Sequence, residues 1–384
     1  MYILTITWPA GLFRCLISFE CGAPLYPISP IHVLDVLRES PSIESIRLTG
    51  YCNFPPGLKL RPVALRSLVE CTLIGVGTTS LIRLMTVPSS TLVTLTEPYF
   101  ELGAVSRKFE DFSTAPGLHV LDGISTVSFS INDNAVRLQV KNDSGGALDV
   151  EVDELCDLSQ DTMFLSFILS FFEFGNTRPG FKAAKQLALD VDRGRIWAAP
   201  EAANFALLVL ALFRSFSDAE EVTLRGVPPM ELSFLLRYLC GGPSLRLPCP
   251  NIKRLHIETI SLRSPRSLLV EMDKLLGERK RAGGALRSLT AKVKCEMLIP
   301  TTDHCAFLTS WEGLVEEGVR LEYEQSTVKK LPRCRRHDYD YEDEWDSEDE
   351  DDEEKYEEMG AGDPDDSCVG WDGWPDRWPK TMGK

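Results

Sequence analysis

The sequence predicts an α/β solenoid, a stack of strand–helix units around one elongated core. Three observations predict it. An apolar-x-x-apolar-x-apolar triplet recurs as Ile43/Ile46/Leu48, Ile124/Val127/Phe129, Ala184/Leu187/Leu189, Ala219/Val222/Leu224, Ile252/Leu255/Ile257 and Leu286/Leu289/Ala291. The last four copies start 35, 33 and 34 residues apart, a fixed period that belongs to repeat architectures. Between those copies lie helix-length apolar segments, with Pro at or just before their starts and Gly past several of their ends. A single unit has nothing to cover its own apolar face, whereas stacked units bury it and leave a long open surface.

Residues 1–30 are apolar, contain Pro9, Pro24, Pro27 and Pro30, and show no clear period. They read as an irregular segment or a partial first unit, with the regular domain running over 31–325. His32–Glu39 reads as a short helix stopped by Pro41 and followed by the first triplet strand. Leu65-x-x-Leu68 ends in Glu70 and Leu92-x-x-Leu95 ends in Glu97, so both read as strands that have lost the third apolar position. Steps of 22, 27 and 32 residues between these front copies leave room for a loop or a single helical turn. The next step, from 124 to 184, spans about two units and holds an insertion near 136–152. There Val136, Leu138 and Val140 alternate with polar residues, Asn142–Gly146 supplies a turn, and Leu148, Val150 and Val152 alternate again, which predicts a hairpin. Met163–Phe174 reads as a buried helix. The back-half helices are expected over Glu201–Phe216, Met230–Cys240, Pro265–Arg281 and Asp303–Glu317, before a last strand with Val319, Leu321 and Tyr323.

Strands joined through helices must run parallel, with the helices outside and the strands on the concave side. The triplet points into the core, and the residues between its members point to the concave face. In parallel register that face carries three rows. Ser45, Thr126, Gln186, Glu221, Arg254 and Ser288 make the first; Arg47, Ser128, Ala188, Thr223, His256 and Thr290 the second; Thr49, Ser130, Asp190, Arg225, Glu258 and Lys292 the third. Arg47, Gln186, Asp190, Glu221, Arg225, Arg254, His256, Glu258 and Lys292 are the candidate partner-binding residues. The competing reading is that strands about 4.8 Å apart pair the alternating charges of the third row among themselves. Such exposed pairs are worth under about 1 kcal/mol each. Arg254 and His256 fit both readings.

The formal charge of −16 is local, because residues 338–366 hold 18 acidic residues and one Lys and the rest is close to neutral. Residues 326–384 are therefore expected to be a disordered acidic tail. Such a tail captures basic proteins such as histones, or simply solvates the domain. Ser347, followed by three acidic residues, suits an acidophilic kinase, where a phosphate would tune existing charge. Lys329, Lys330, Arg333, Arg335 and Arg336 read as an import signal or as a clasp for the neighbouring acids. Those acids would compete with phosphate for the cations, which argues against nucleic acid as a partner. Trp371, Trp374 and Trp378 stand among Gly, Pro and Asp, where a linear motif is one reading and incidental placement the other.

Eleven cysteines, an odd number at irregular spacings and without Cys-x-x-Cys, point to a reducing compartment, cytoplasmic or nuclear. The N-terminus lacks an early positive charge and is broken by Pro9 and Arg14, which argues against a signal peptide. No apolar run reaches the ~18 residues of a membrane span. Enzyme signatures are absent: Gly75-x-Gly77 lacks the rest of a phosphate loop, and the spacing of Cys295, His304 and Cys305 fits no standard zinc site. No cofactor or metal is expected, and Asn142-Asp143-Ser144 is a glycosylation sequon by letter only.

The triplet has the Leu-x-x-Leu-x-Leu form of leucine-rich repeats. HVLDVLRESPSIESIRLTG (32–50), VPSSTLVTLTEPYF (87–100) and FLTSWEGLVEEGVRLEY (307–323) resemble the repeat regions of mushroom-type fungal F-box proteins. The resemblance covers about residues 31–325 and implies a leucine-rich-repeat solenoid that reads a substrate for a ubiquitin ligase without doing chemistry itself. Two features depart from the family. Residues 1–40 lack the Leu-Pro-x-Glu helix and Cys-x-x-Trp of an F-box, so docking to a Skp-type linker would need that element from elsewhere. No asparagine ladder follows the triplets, since the equivalent positions hold Tyr51, Asn132, Arg193, Val227, Ser261 and Lys294. A repeat domain with an acidic tail also resembles acidic leucine-rich nuclear phosphoproteins, which implies a chaperone or binder of basic proteins as the alternative.

Overall fold

The computed structural model describes residues 11–52, 54, 60–75, 77–97, 117–132, 135–153, 183–192, 212–240, 247, 249–259, 266–295 and 301–325. These residues form an α/β unit within Met1–Lys329, built on one open, mostly parallel sheet of twelve strands. The second unit, Lys330–Lys384, lies outside the described residues, and so do Ser347 and the expected acidic tail. Also outside them are the helices expected at Met163–Phe174 and over residues 201–211.

The front half contains β1 (Ser18–Ile28), α1 (Pro30–Glu39), β2 (Ser45–Cys52), β3 (Val63–Ala64), β4 (Glu70–Ile74), β5 (Met85–Thr86) and β6 (Leu92–Glu97). Then come β7 (Ile124–Asn132), β8 (Ala135–Asn142), β9 (Ala147–Asp153) and β10 (Gln186–Asp192). The back half alternates: β11 (Glu221–Arg225), α2 (Pro229–Cys240), β12 (Arg254–Glu258), α3 (Arg266–Arg281), β13 (Ser288–Cys295), α4 (Thr301–Glu312) and β14 (Gly318–Gln325). The sheet order is β1-β2-β4-β6-β9-β8-β7-β10-β11-β12-β13-β14, and β3 pairs with β5 separately.

All eighteen side chains of the six triplets are at most 3 % exposed. The first member lies just before the strand and the other two share the core face, as their spacing requires. The strand starts repeat a second pattern that no side chain reveals: one carbonyl accepts two N–H groups of the next unit. The carbonyl of Ile17 accepts from Glu44 (2.8 Å) and Ser45 (3.1 Å), and that of Glu44 from Val69 (2.8 Å) and Glu70 (3.0 Å). Lys185 accepts from Glu220 (2.8 Å) and Glu221 (2.9 Å), Glu220 from Lys253 (2.7 Å) and Arg254 (3.0 Å), and Lys253 from Arg287 (2.7 Å) and Ser288 (3.1 Å). At these five junctions a unit is thereby pinned to its neighbour at the same backbone position.

The helices follow the same apolar logic. In α3, Leu268, Leu269, Met272, Leu275 and Leu276 are buried, the i, i+1, i+4, i+7, i+8 stripe of a helix lying on a core. Its last turn carries Arg279, whose side chain is buried without a carboxylate partner among the described residues. It donates instead to the carbonyls of Gly284 (3.1 Å), Leu239 (3.3 Å), Cys249 (3.2 Å) and Pro250 (3.4 Å). It thus ties the end of α2 and the turn before β12 to the end of α3. Trp311 of α4 is fully buried, and its Nε1 donates to Asp273 of α3 at 3.1 Å.

Several expectations need correction. Residues 18–28 are not irregular: they form β1, parallel to β2, with Phe19 opposite Ile46 and Cys21 opposite Leu48. Leu16, Phe19 and Cys21 pack against the core as a further triplet, hidden in the sequence by its Phe and Cys. In β4 the core members are Leu68, Cys71 and Leu73, so the copy read from Leu65 is three residues out of register. In β6, Val93 and Leu95 face the core while Leu92 is 48 % exposed.

The hairpin is real but is not an excursion. The short β7–β8 and β8–β9 turns can join only antiparallel strands. β8 is antiparallel to both neighbours in the middle of the sheet, and β9 lies parallel to β6. The uniformly parallel sheet expected from strand–helix alternation is therefore interrupted here. Asn142 sets the second turn. Its Oδ1 accepts from Ser144 N (3.0 Å) and Gly146 N (2.9 Å), and its Nδ2 donates to the carbonyls of Ser89 (2.7 Å) and Val120 (3.0 Å). The last helix stops at Glu312 rather than Glu317.

Candidate interaction face

The strand residues that do not enter the core form one polar sheet face. Pairing places Gln186, Glu221, Arg254 and Ser288 side by side from β10 to β13. Ala188, Thr223, His256 and Thr290 form the middle row, continued by Arg320 on β14. Asp190, Arg225, Glu258 and Lys292 form the third row, continued by Glu322. Eight of the nine candidate residues thus lie together. Arg47 does not: it sits on β2, six strands from β10, where its Nε is 3.7 Å from Glu20 of β1.

Charge pairing on this face is extensive. Arg254 binds Glu221 through Nε (3.0 Å) and Nη2 (2.7 Å), and Gln186 Nε2 reaches the same carboxylate at 3.4 Å. Gln186 Oε1 accepts from Thr126 on β7 at 3.1 Å. Arg225 Nε lies 3.9 Å from Glu258, with Lys292 Nζ at 3.6 Å and Lys294 Nζ at 3.8 Å from that carboxylate. His256 sits between the rows. Burial lowers its pKa, and Arg225 and Lys292 lower it further against the opposing pull of Glu258 and Glu221. The lowered pKa favours the neutral ring at pH 7.

The carboxyl ends of these strands enclose an open hollow of about 360 Å³ lined by Ser130, Asn132, Asp190, Arg225, Glu258, Thr259 and Lys294, among others. Its floor depends on Gly226, which has φ +62°, and a Cβ there would stand 1.9 Å from the carbonyl oxygen of Val191. Only glycine permits that approach.

The sequence reading passed over several residues of the face. Lys294 follows Lys292 by two and so shares its side of β13. Arg137 of β8 bonds Asp149 of β9 in a two-pronged contact, and Gln139 Nε2 donates to the same carboxylate at 3.1 Å. The alternation of β8 and β9 marks these as polar-face positions, but their neighbours follow only from the strand order. Row three accordingly runs Glu151, Arg137, Ser130, Asp190, Arg225, Glu258, Lys292, Glu322 across eight strands, alternating in sign except at Ser130.

No group of His, Cys, Asp or Glu able to hold a metal ion occurs among the described residues. Nor is any described helix long and apolar enough to cross a membrane. Asn142 is turned inward with both amide donations used, which disfavours its being a glycosylation acceptor. No family model, no curated protein and no solved structure matches this chain.

Proposed function

We propose that this chain is a non-catalytic protein-recognition scaffold, a leucine-rich-repeat-like solenoid whose polar sheet face binds a protein partner. The observation that carries the reading is a wide, solvent-accessible face, repeated in register, on which Arg225 and Arg254 are each 54 % exposed. The recurrent two-donor carbonyl at the strand starts supports the repeat reading independently of the triplet. The resemblance to F-box repeat regions assigns such a scaffold to substrate reading for a ubiquitin ligase, with a Skp-type linker engaged only through an F-box supplied elsewhere. Cys15, Cys21, Cys52, Cys71, Cys240, Cys249 and Cys305 are free thiols, which fits a cytoplasmic or nuclear protein.

The test places a photo-crosslinking residue at Thr223 on the polar face, with one at Val270 on the outer surface of α3 as control. Partner adducts are expected from position 223 only, and their loss in Arg225→Glu/Arg254→Glu. Equal adducts from both positions would overturn the reading.

The alternative is a binder of basic proteins such as histones. The paired charges of the face supply no broad anionic surface, so such binding would rest on the 18 acidic residues of 338–366. Histone binding that is lost on deleting 338–366 and weakens steeply with salt supports this alternative, and salt-insensitive binding counts against it. Neither reading includes nucleic acid or a membrane as partner.

A further inference from the structure

The sheet ends at β14, and the far edge of that strand carries no neighbouring strand among the described residues. The core side of this last strand is also incompletely covered. Leu289, Ala291 and Val293 of β13 are at most 1 % exposed, whereas Val319, Leu321 and Tyr323, which stand opposite them, are only partly buried. Phe307 and Leu314 are partly buried beside the same core. Helix α3 is flanked by α2 and α4, but no described helix follows α4. An eight-residue edge strand with an apolar side is a ready template for another strand.

The opposite edge is blunter. β1 contains Pro24 and Pro27, which have no N–H to give to a ladder, and β14 contains no proline. The sequence of β14 is also self-complementary. Val319-Arg320-Leu321-Glu322-Tyr323 reads apolar, basic, apolar, acidic, apolar about its centre at Leu321. In an antiparallel pair of two such strands with Leu321 opposite Leu321, Arg320 faces Glu322 and Val319 faces Tyr323, each twice. Directly opposed residues share a side of the sheet, so the charges meet on the polar face and the apolar residues on the core side. The nearest slips that keep the faces aligned place Arg320 opposite Arg320 or Glu322 opposite Glu322, so the charges select one register.

We propose that this chain forms a two-fold symmetric dimer by antiparallel pairing of β14 with β14 of a second copy. The two twelve-stranded sheets become continuous, and each copy covers the open apolar side of the other's last unit. Arg320 and Glu322, exposed at 73 % and 41 % and joined within one strand at 2.5 Å, form a ring of four alternating charges with their counterparts. The alternation of Glu258, Lys292 and Glu322 thus carries across the axis to Arg320 of the second copy. The two strands end on opposite sides of the axis, with their Gln325 residues about 27 Å apart at ~3.4 Å per residue, so the pairing does not force the two acidic segments together. Head-to-tail pairing of β14 with β1 of another copy is the competing arrangement. In the register of the other parallel strands it sets Arg320 against Glu20 but leaves Glu322 opposite Gly22, and it generates chains or larger rings.

The test is analytical ultracentrifugation of the full chain and of its Arg320→Glu and Glu322→Arg variants. Wild type is expected to sediment as a dimer. Each single substitution sets like charges opposite one another at both symmetry-related contacts and should weaken dimerisation at least about tenfold. Mixed in equal amounts, the two variants should recover a dimer, because an acidic strand then faces a basic one, and Arg320→Glu/Glu322→Arg should dimerise by itself. Both side chains are exposed, so every variant should keep the circular dichroism of the parent. A wild type that stays monomeric at its highest soluble concentration, a dimer indifferent to the single substitutions, or a mixture that stays monomeric overturns the pairing. Species larger than a dimer that are lost in Glu20→Arg assign the edge to β1 of another copy and overturn it as well.

Discussion

Individual side chains hold the connections of this fold. Arg279 buries a guanidinium whose pKa burial lowers, and it survives there because four carbonyls accept from it. Arg279→Met should fill much of the volume yet cost about 2–4 kcal/mol in chemical denaturation, because carbonyls of α2 and the turns lose their donors. Asn142→Ala should cost a similar ~2–4 kcal/mol, whereas Asn142→Asp, which keeps the acceptor and loses the donors, should fall between. The thiols sort by burial. Cys52, Cys71 and Cys249 are pushed up to about 12 by burial, so they remain protonated and shielded. At pH 8 iodoacetamide should modify the exposed Cys15 and Cys305 and spare these three until the protein unfolds. None of these roles could be read from sequence. Asn142 stood out as turn chemistry, but its donations to Ser89 and Val120 join residues far apart in the chain. Arg279 looked like one more cation in a basic helix end.

At the scale of elements, α2 and α3 are coupled through Glu271, whose side chain is only 9 % exposed. Burial alone would raise its carboxyl. The hydrogen bond and charge of Arg237 at 3.0 Å, helped by Lys274 at 3.4 Å, instead hold it below the ordinary range. A depressed carboxyl contributes stability above its unfolded pKa of about 4.3, and that stability is lost as pH falls through the lower folded value. Glu271→Gln should therefore cost about 1–2 kcal/mol at pH 7, and less at pH 3. Denaturant titrations at the two pH values check this. Element prediction succeeded where the pattern was long and apolar, as for α3, which starts one residue from its expected position. It failed where another residue took the apolar place. Cys71 buries like a Leu in β4, and Cys21 completes the core face of β1, but a thiol does not announce itself as hydrophobic in a pattern search.

Across the whole molecule, one continuous core joins Ile28 to Val315. The antiparallel meander of β7, β8 and β9 does not divide it, since Val127, Leu138, Val140 and Leu148 belong to the same buried cluster. Leu48→Ala in β2 and Leu255→Ala in β12 should each cost about 2–5 kcal/mol and shift the same single unfolding transition. Two transitions would mean that the halves uncouple at the meander. The exposed charge ladder, by contrast, should contribute little to stability. Raising salt to 1 M should change the unfolding free energy by less than about 1 kcal/mol per exposed pair.

The sequence by itself determined the repeated strand, its buried triplet, the polar character of the opposite face and the confinement of acidity to residues 338–366. These depend on local spacing, because a period of two separates the faces of any strand. Tertiary structure alone decided which strands are neighbours. The return of β9 to β6 places Glu151 and Arg137 in the charge row, and the ladder from β10 to β13 sets three cations around Glu258. Side chains on neighbouring strands come from units about 34 residues apart, so their contacts depend on register between units and not on anything within one of them.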